Sequence, residues 1–216
     1  MQYEILVLDL DGTLTNNKKE ITQHTKEVLR AYQEAGGTVV LASGRPTYGV
    51  APLAEELELE KYHGYMLSFN GALITDCRSG ERIFQKWLPE GVPQQMADLA
   101  QKYGTALLTY QGAEIVTETP DNQYVRKEVI CTKMKVRKLS DFRREVTFPV
   151  VKCMLMDNGV YLAKVEEKVK EYFHGELSVL RSEPYFLEVM PKGIDKARSL
   201  ERLLELLGKD RSRMMA

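Results

Sequence analysis

The chain is poor in cysteine: Cys77, Cys131 and Cys153 are odd in number, and none stands in a CxxC pair. This excludes a disulfide framework and the common thiolate zinc sites, and it favours a reducing compartment. Long apolar runs are also missing, since none approaches the ~18 residues that a membrane span requires. The opening "MQYEILVLDLDG" meets acid too early for a secretory leader. A cytoplasmic location without a membrane partner is expected. Charge of one sign is absent as well: 30 basic residues against 31 acidic ones leave a formal net charge of -1. There is no bulk field for nucleic acid, so an anionic ligand has to be held locally. His24, His63 and His174 are scattered and lack metal-ligand spacing.

What is present is an ordinary globular composition, 44% hydrophobic and 28% charged, with enough length for a sizeable core. The β-branched and leucine residues from Ile5 to Leu10 run without alternation, as expected of a strand buried on both faces. "ITQHTKEVLRAYQEAGG" places Val28, Leu29, Tyr32 and Ala35 at helical spacing before Gly36 and Gly37, and "TVVLAS" reads as the next buried strand. With a helix around Leu53 to Leu59 and the strand "GYMLSF", the opening is a βαβαβ unit, hence a Rossmann-like parallel sheet.

From Asn70 the pattern changes. "ALITD" and "RIFQKWL" read as a hairpin leading out of that sheet. The following hundred or so residues alternate short strands with amphipathic helices, among them Val92 to Tyr103 and Val160 to Phe173. Polar alternation in those strands predicts an α+β layer with one wet sheet face. The expected organisation is therefore an α/β core at 1–83 and 184–216 with an α+β domain inserted at 84–183. "YFLEVMP" and a helix from Asp195 to Leu207 are assigned to the core.

In such a sheet ligands gather beyond the carboxyl ends of the strands, where "LVLDLDGTLT" puts Asp9 and Asp11. Two carboxylates this close repel, which separates their protonation behaviour unless a cation neutralises them. One can then attack phosphorus while the other protonates the leaving oxygen. Gly12 permits a tight turn with amides turned toward an anion. Taken alone, a DxDG string is more often a solvated turn after a strand. Ser43, Gly44 and Arg45 close the second strand, a small donor beside a glycine that suits the equatorial oxygens of a phosphoryl group. "MPKGIDKARSL" starts a helix with a lysine, either Lys196 or, as second choice, Lys192, adding its charge to the positive helix end.

The strings "DLDGTLT", "LASGRP", "FNGA" and "PKGIDKA", in this order, resemble the haloacid dehalogenase-like (HAD) phosphatases, in particular their Cof-type branch with a C2B cap. The resemblance implies that Asp9 is the nucleophile and a Mg²⁺ ligand, and that Asp11 is the general acid/base and also reaches the metal. It places the main chain at Leu10, the Ser43 hydroxyl, the Gly44 amide and Lys196 on the phosphate, with Arg45, Lys192 and Asn70 in supporting positions. The implied substrate is a small phosphorylated metabolite, a sugar phosphate or a phosphorylated cofactor such as pyridoxal phosphate. A phosphomutase, or a sensor that binds without turnover, are the alternatives. Trp87, Tyr110, Tyr124, Arg126 and Lys127 are the cap residues able to stack on or bond such a ligand, although aromatics at these positions also serve as core. The family's fourth string, of the type GDGxND, does not occur. The expectation is therefore a fragment of a longer phosphatase with a weak, hydrated Mg²⁺ site lacking its third acid, little Mg²⁺-dependent activity of its own, and the edge of strand one unpaired.

Overall fold

The structure, a computed structural model, describes residues 2–216. In chain order, β1 (Ile5–Asp9), α1 (Gln23–Glu34), β2 (Thr38–Ala42), α2 (Thr47–Glu56), β3 (Tyr65–Ser68), β4 (Leu73–Asp76) and β5 (Arg82–Gln85) come first. Then follow α3 (Val92–Tyr103), β6 (Ala106–Gln111), β7 (Glu114–Thr117), α4 (Gln123–Thr132), β8 (Lys135–Lys138), α5 (Phe142–Glu145), β9 (Cys153–Met156), α6 (Gly159–Tyr172), β10 (Leu177–Glu183) and β11 (Phe186–Pro191). The chain closes with α7 (Lys196–Leu207) and β12 (Met214–Met215). Two compact units result, one up to Gln85 and again from Asp195, the other Lys86–Ile194.

The first unit holds a six-stranded sheet in the order β12-β1-β2-β3-β4-β5. Strands β12, β1, β2 and β3 are parallel neighbours, whereas β4 and β5 join antiparallel. Period-two alternation sends Val39 and Leu41 to one core with Leu29, Val50 and Leu53, while Val40 and Ala42 pack with Leu200, Leu203 and Leu204 of α7. Both faces are thus covered, which is why the middles of these strands are apolar on both sides. α1 starts at Thr22, whose hydroxyl accepts the Thr25 N–H and satisfies one of the free amides of the first turn. The hairpin expected to leave the sheet instead extends it, because β4 pairs with β3 over four residues.

The edge of β1 is not unpaired: Met214 and Met215 lie in parallel register with Ile5 and Leu6. Glu4 ties this edge to the segment from Lys209 to Arg213, accepting bonds from both of those side chains. The hydrogen bonds from Lys209 and then Arg213 hold its carboxyl down at about 2, against an ordinary value of 4.5. A carboxyl depressed on folding stabilises above its unfolded value and loses that contribution as pH falls through the folded one. Glu4→Gln should therefore melt below the wild type near neutral pH, with the gap closing as pH drops from 4.5 toward about 2. Thermal melts across that range check it.

The second unit holds a sheet in the order β10-β11-β9-β6-β7-β8, antiparallel except for β7 with β8. α3 and α6 cover one face with Met96, Leu99, Leu162, Val165 and Val169 against Leu107, Cys153, Leu155, Leu187 and Val189. The expected wet face is not found on the central strands, since β6, β9 and β11 are buried nearly throughout. Their polar residues are inside because they are paired: Lys152 bonds Glu188 at 2.9 Å, and Tyr110 donates to Glu128 of α4 at 2.8 Å.

β11 corrects the sequence reading. "YFLEVMP" was assigned to the core, but Phe186 to Pro191 pairs antiparallel with β10 and β9, inside the second sheet. Its largely apolar character, broken by Glu188, reflects burial on both faces, which a central strand of either sheet has. The second unit accordingly runs to Ile194 rather than ending at 183, and it starts at Lys86 rather than at 84.

Candidate active site

β1 and β2 are parallel, with Asp9 beside Ala42, so the segments leaving both strands emerge at one edge of the first sheet. After β1 the chain turns back on itself: Leu14 N–H donates to the Asp9 carbonyl at 3.1 Å, and Thr15 gives both its N–H and its hydroxyl to the Leu10 carbonyl. Gly12 sits at φ 82° with open space around its Cα, so this turn needs its left-handed backbone rather than its small size. The loop presents Asp9 and Asp11 with about two-fifths of each side chain exposed.

α7 supplies the cation. Asp195 caps the helix by accepting the Arg198 N–H at 2.8 Å, which leaves Lys196 as the first helical residue. The Lys196 ammonium donates to Asp9 Oδ1. Asp9 Oδ2 accepts no hydrogen bond among the described residues. One oxygen of the proposed nucleophile is thus held by a positive charge and the other is open.

Asp11 is held differently. Arg45, only 9% exposed, reaches it with two bonds, Nε to Oδ2 at 3.1 Å and Nη2 to Oδ1 at 2.6 Å. Lys19 Nζ adds a third at 2.6 Å. Partial burial raises the pKa of Asp11, but the hydrogen bonds and charge of Arg45 and Lys19 outweigh it and bring the carboxyl below its ordinary value.

Ser43 is buried, and its Oγ accepts the Arg45 N–H at 3.1 Å. Its main chain is tied to the third strand and the turn beyond it: Ser43 N–H donates to Leu67 O, and Asn70 N–H donates to Ser43 O, both at 2.9 Å. Asn70 packs its side chain on Gly44, where a Cβ would meet the amide oxygen at 3.0 Å. The residues singled out in the sequence therefore fall into two bonded sets, Asp9 with Lys196, and Asp11 with Arg45, which leads through Ser43 to Asn70 and Gly44. Lys192 joins neither set: it belongs to the second unit, and its carbonyl accepts Lys86 Nζ at 2.7 Å.

Lys19 was not singled out. It lies in a loop that reads simply as polar, and it reaches Asp11 because Asn16 folds that loop, its Oδ1 accepting the N–H groups of Lys18 and Glu20 while Lys19 adopts φ 62°. The sequence signal available was the asparagine four residues before Glu20, a local turn former. No group of three or more His, Cys, Asp or Glu side chains able to hold a metal occurs among the described residues. Asp9 and Asp11 nevertheless offer hard oxygens in a water-accessible place, which suits Mg²⁺, an ion that often uses one or two carboxylates and keeps several waters.

A family model described as haloacid dehalogenase-like hydrolase matches residues 6–216. A haloacid dehalogenase-like hydrolase of known structure from Bacteroides thetaiotaomicron is 46% identical, with a TM-score of 0.95 over 98% of this chain and 80% of its own. A Streptococcus pyogenes serotype M6 protein, provisionally named a phosphatase, is 30% identical over 222 residues, covering 100% of this chain and 80% of its own length. The 5-amino-6-(5-phospho-D-ribitylamino)uracil phosphatase of Bacillus subtilis is 27% identical over 214 residues, or 99% of this chain and 75% of its own.

Proposed function

The chain belongs to the haloacid dehalogenase-like hydrolases, in their Cof-type branch, and is a phosphoric monoester hydrolase; from that premise we propose that it cleaves small phosphomonoesters by way of a phosphoaspartyl group on Asp9. The observation that carries this reading is the Asp9 carboxylate, one oxygen on Lys196 and the other open. An anionic nucleophile needs such an open oxygen, and an incoming phosphate dianion needs the neighbouring ammonium to offset repulsion.

In the first step Asp9 Oδ2 bonds to phosphorus as the bond from phosphorus to the ester oxygen breaks. Asp11 gives that leaving oxygen its proton, so an alcohol departs. In the second step Asp11 takes a proton from water, the water oxygen bonds to phosphorus, and Asp9 is released as a carboxylate. Arg45 and Lys19 hold Asp11 in its basic form, ready for the second step. The first step needs the same carboxyl protonated, so the bound phosphate has to draw at least one of the two cations from it. Asp9 and Asp11 would hold Mg²⁺, whose charge, when bound, offsets that of the phosphate oxygens.

The substrate class is a phosphorylated sugar, sugar alcohol or cofactor. The uracil-ribityl phosphate in the name of the Bacillus subtilis relative supports an ester of that kind. The chain should release p-nitrophenol from p-nitrophenyl phosphate with Mg²⁺, stop on chelation and resume when Mg²⁺ is restored. Turnover that ignores chelation would contradict the Mg²⁺ role. The hold on Asp11 by two cations favours one second reading, a phosphate-binding protein without turnover. Calorimetric binding of inorganic phosphate with no product formed would support it.

A further inference from the structure

The turn Phe69–Gly71 is the least ordinary backbone near the site: Phe69, Asn70 and Gly71 stand in succession at φ 51°, 57° and 92°. The left-handed region is unfavourable for asparagine and more so for phenylalanine, so such a run persists only where the surroundings impose it. Those surroundings are two parts of the site. On one side Phe69 N–H donates to the Arg45 carbonyl and Asn70 N–H to the Ser43 carbonyl, both at 2.9 Å, while the Asn70 side chain lies against Gly44.

On the other side α7 rests on the turn. A Cβ on Gly71 would collide with both Cβ and Oγ of Ser199, with the Asp195 carbonyl next at 3.6 Å. Ser199 is fully buried, and its hydroxyl has no hydrogen-bond partner among the described residues. An unpaired buried hydroxyl adds nothing favourable, so small size is what this position requires. Ser199 stands three residues after Lys196, on the same side of the helix. Ser199 thus meets Gly71 one turn beyond the point where Lys196 meets Asp9.

We propose that Asn70 and Gly71 form a latch that places the Ser43–Arg45 loop and the first turn of α7 in one register, so that Gly71 positions Lys196 on Asp9. The latch rests on the phosphatase reading above only in its functional consequence. Neither residue touches the reacting atoms; both act through others, as positioning residues.

The test is a double-mutant cycle in the full chain, with kcat and KM for p-nitrophenyl phosphate, calorimetric affinity for inorganic phosphate, and crystal structures of wild type and Gly71→Ala. Gly71→Ala should lower kcat/KM about a hundred-fold, the scale of an ångström-sized misplacement. In a Lys196→Ala background the same change should cost less than about two-fold, because the group it positions is gone. Adding Ser199→Gly to Gly71→Ala should recover part of the loss, since it removes the colliding atoms and leaves only the left-handed strain at residue 71.

Should Gly71→Ala not fold, Ser199→Val crowds the same seat from the helix side and should give the same dependence on Lys196. Equal losses with and without Lys196, or no recovery with Ser199→Gly, would overturn the latch. A wild type with neither turnover nor phosphate binding would count against the phosphatase reading instead. The crystal structures would then decide the latch: loss of the Lys196–Asp9 contact in the variant supports it, and an unchanged contact refutes it.

Discussion

Asp9→Asn should reduce turnover of p-nitrophenyl phosphate by about four orders of magnitude, on the scale of removing a nucleophile from other covalent catalysts. The amide keeps nearly the same volume but has neither the charge nor the second carboxylate oxygen. The side chain is 41% exposed and its ion pair with Lys196 is partly open to water. Such a pair is worth no more than about 1 kcal/mol, so the melting temperature should hardly move. Steady-state kinetics beside a thermal melt separates the two effects. A variant that lost activity and fold together would show that Asp9 is a structural residue.

The largest stability effect should fall far from the nucleophile, at Lys152. It is 2% exposed, its partner Glu188 is 4% exposed, and Ser182 donates to the same Glu188 oxygen at 2.9 Å. Lys152→Met removes the ammonium that offsets the buried Glu188 charge, a change that costs about 3–5 kcal/mol. Replacing both partners by apolar residues, Lys152→Met with Glu188→Leu, should recover most of that cost, because it removes the desolvated charge as well as the attraction. Trp87, the single tryptophan, lies in the second unit, so its fluorescence during urea unfolding reports the event in the right place. If the double variant were as unstable as the single one, the pair would be contributing through packing and not through charge.

The parts of the fold governed by local pattern were legible in the sequence. Helical spacing predicted α1, ending before Gly36 and Gly37, and placed α3 at Val92 to Tyr103, as found. Asp9, Asp11 and Lys196 were legible because each stands at the junction of a strand or helix end with a loop, where sequence order fixes the sheet edge it reaches.

What could not be read depends on distant partners. β11 is apolar for a reason common to both sheets, so its membership follows only from pairing with β9 and β10. Lys152 lies in a stretch that reads as having one wet face, Glu188 in one that reads as core sheet, Tyr110 reads as a ligand-stacking or core residue, and α4, which brings Glu128 to Tyr110, lies in a stretch whose spacing suits strand or helix. Lys19 and the left-handed Phe69 escape pattern reasoning because tertiary contacts, not local preference, hold them where they are.

The central claim is that Asp9 carries the phosphoryl group during turnover. Acid quench of the chain reacting with a phosphomonoester, followed by mass spectrometry of its peptides, tests this directly. The peptide containing Asp9 should gain the mass of one phosphoryl group in the wild type and not in Asp9→Asn. Continued turnover with that peptide unmodified, or with the phosphoryl group on another residue, would contradict the account.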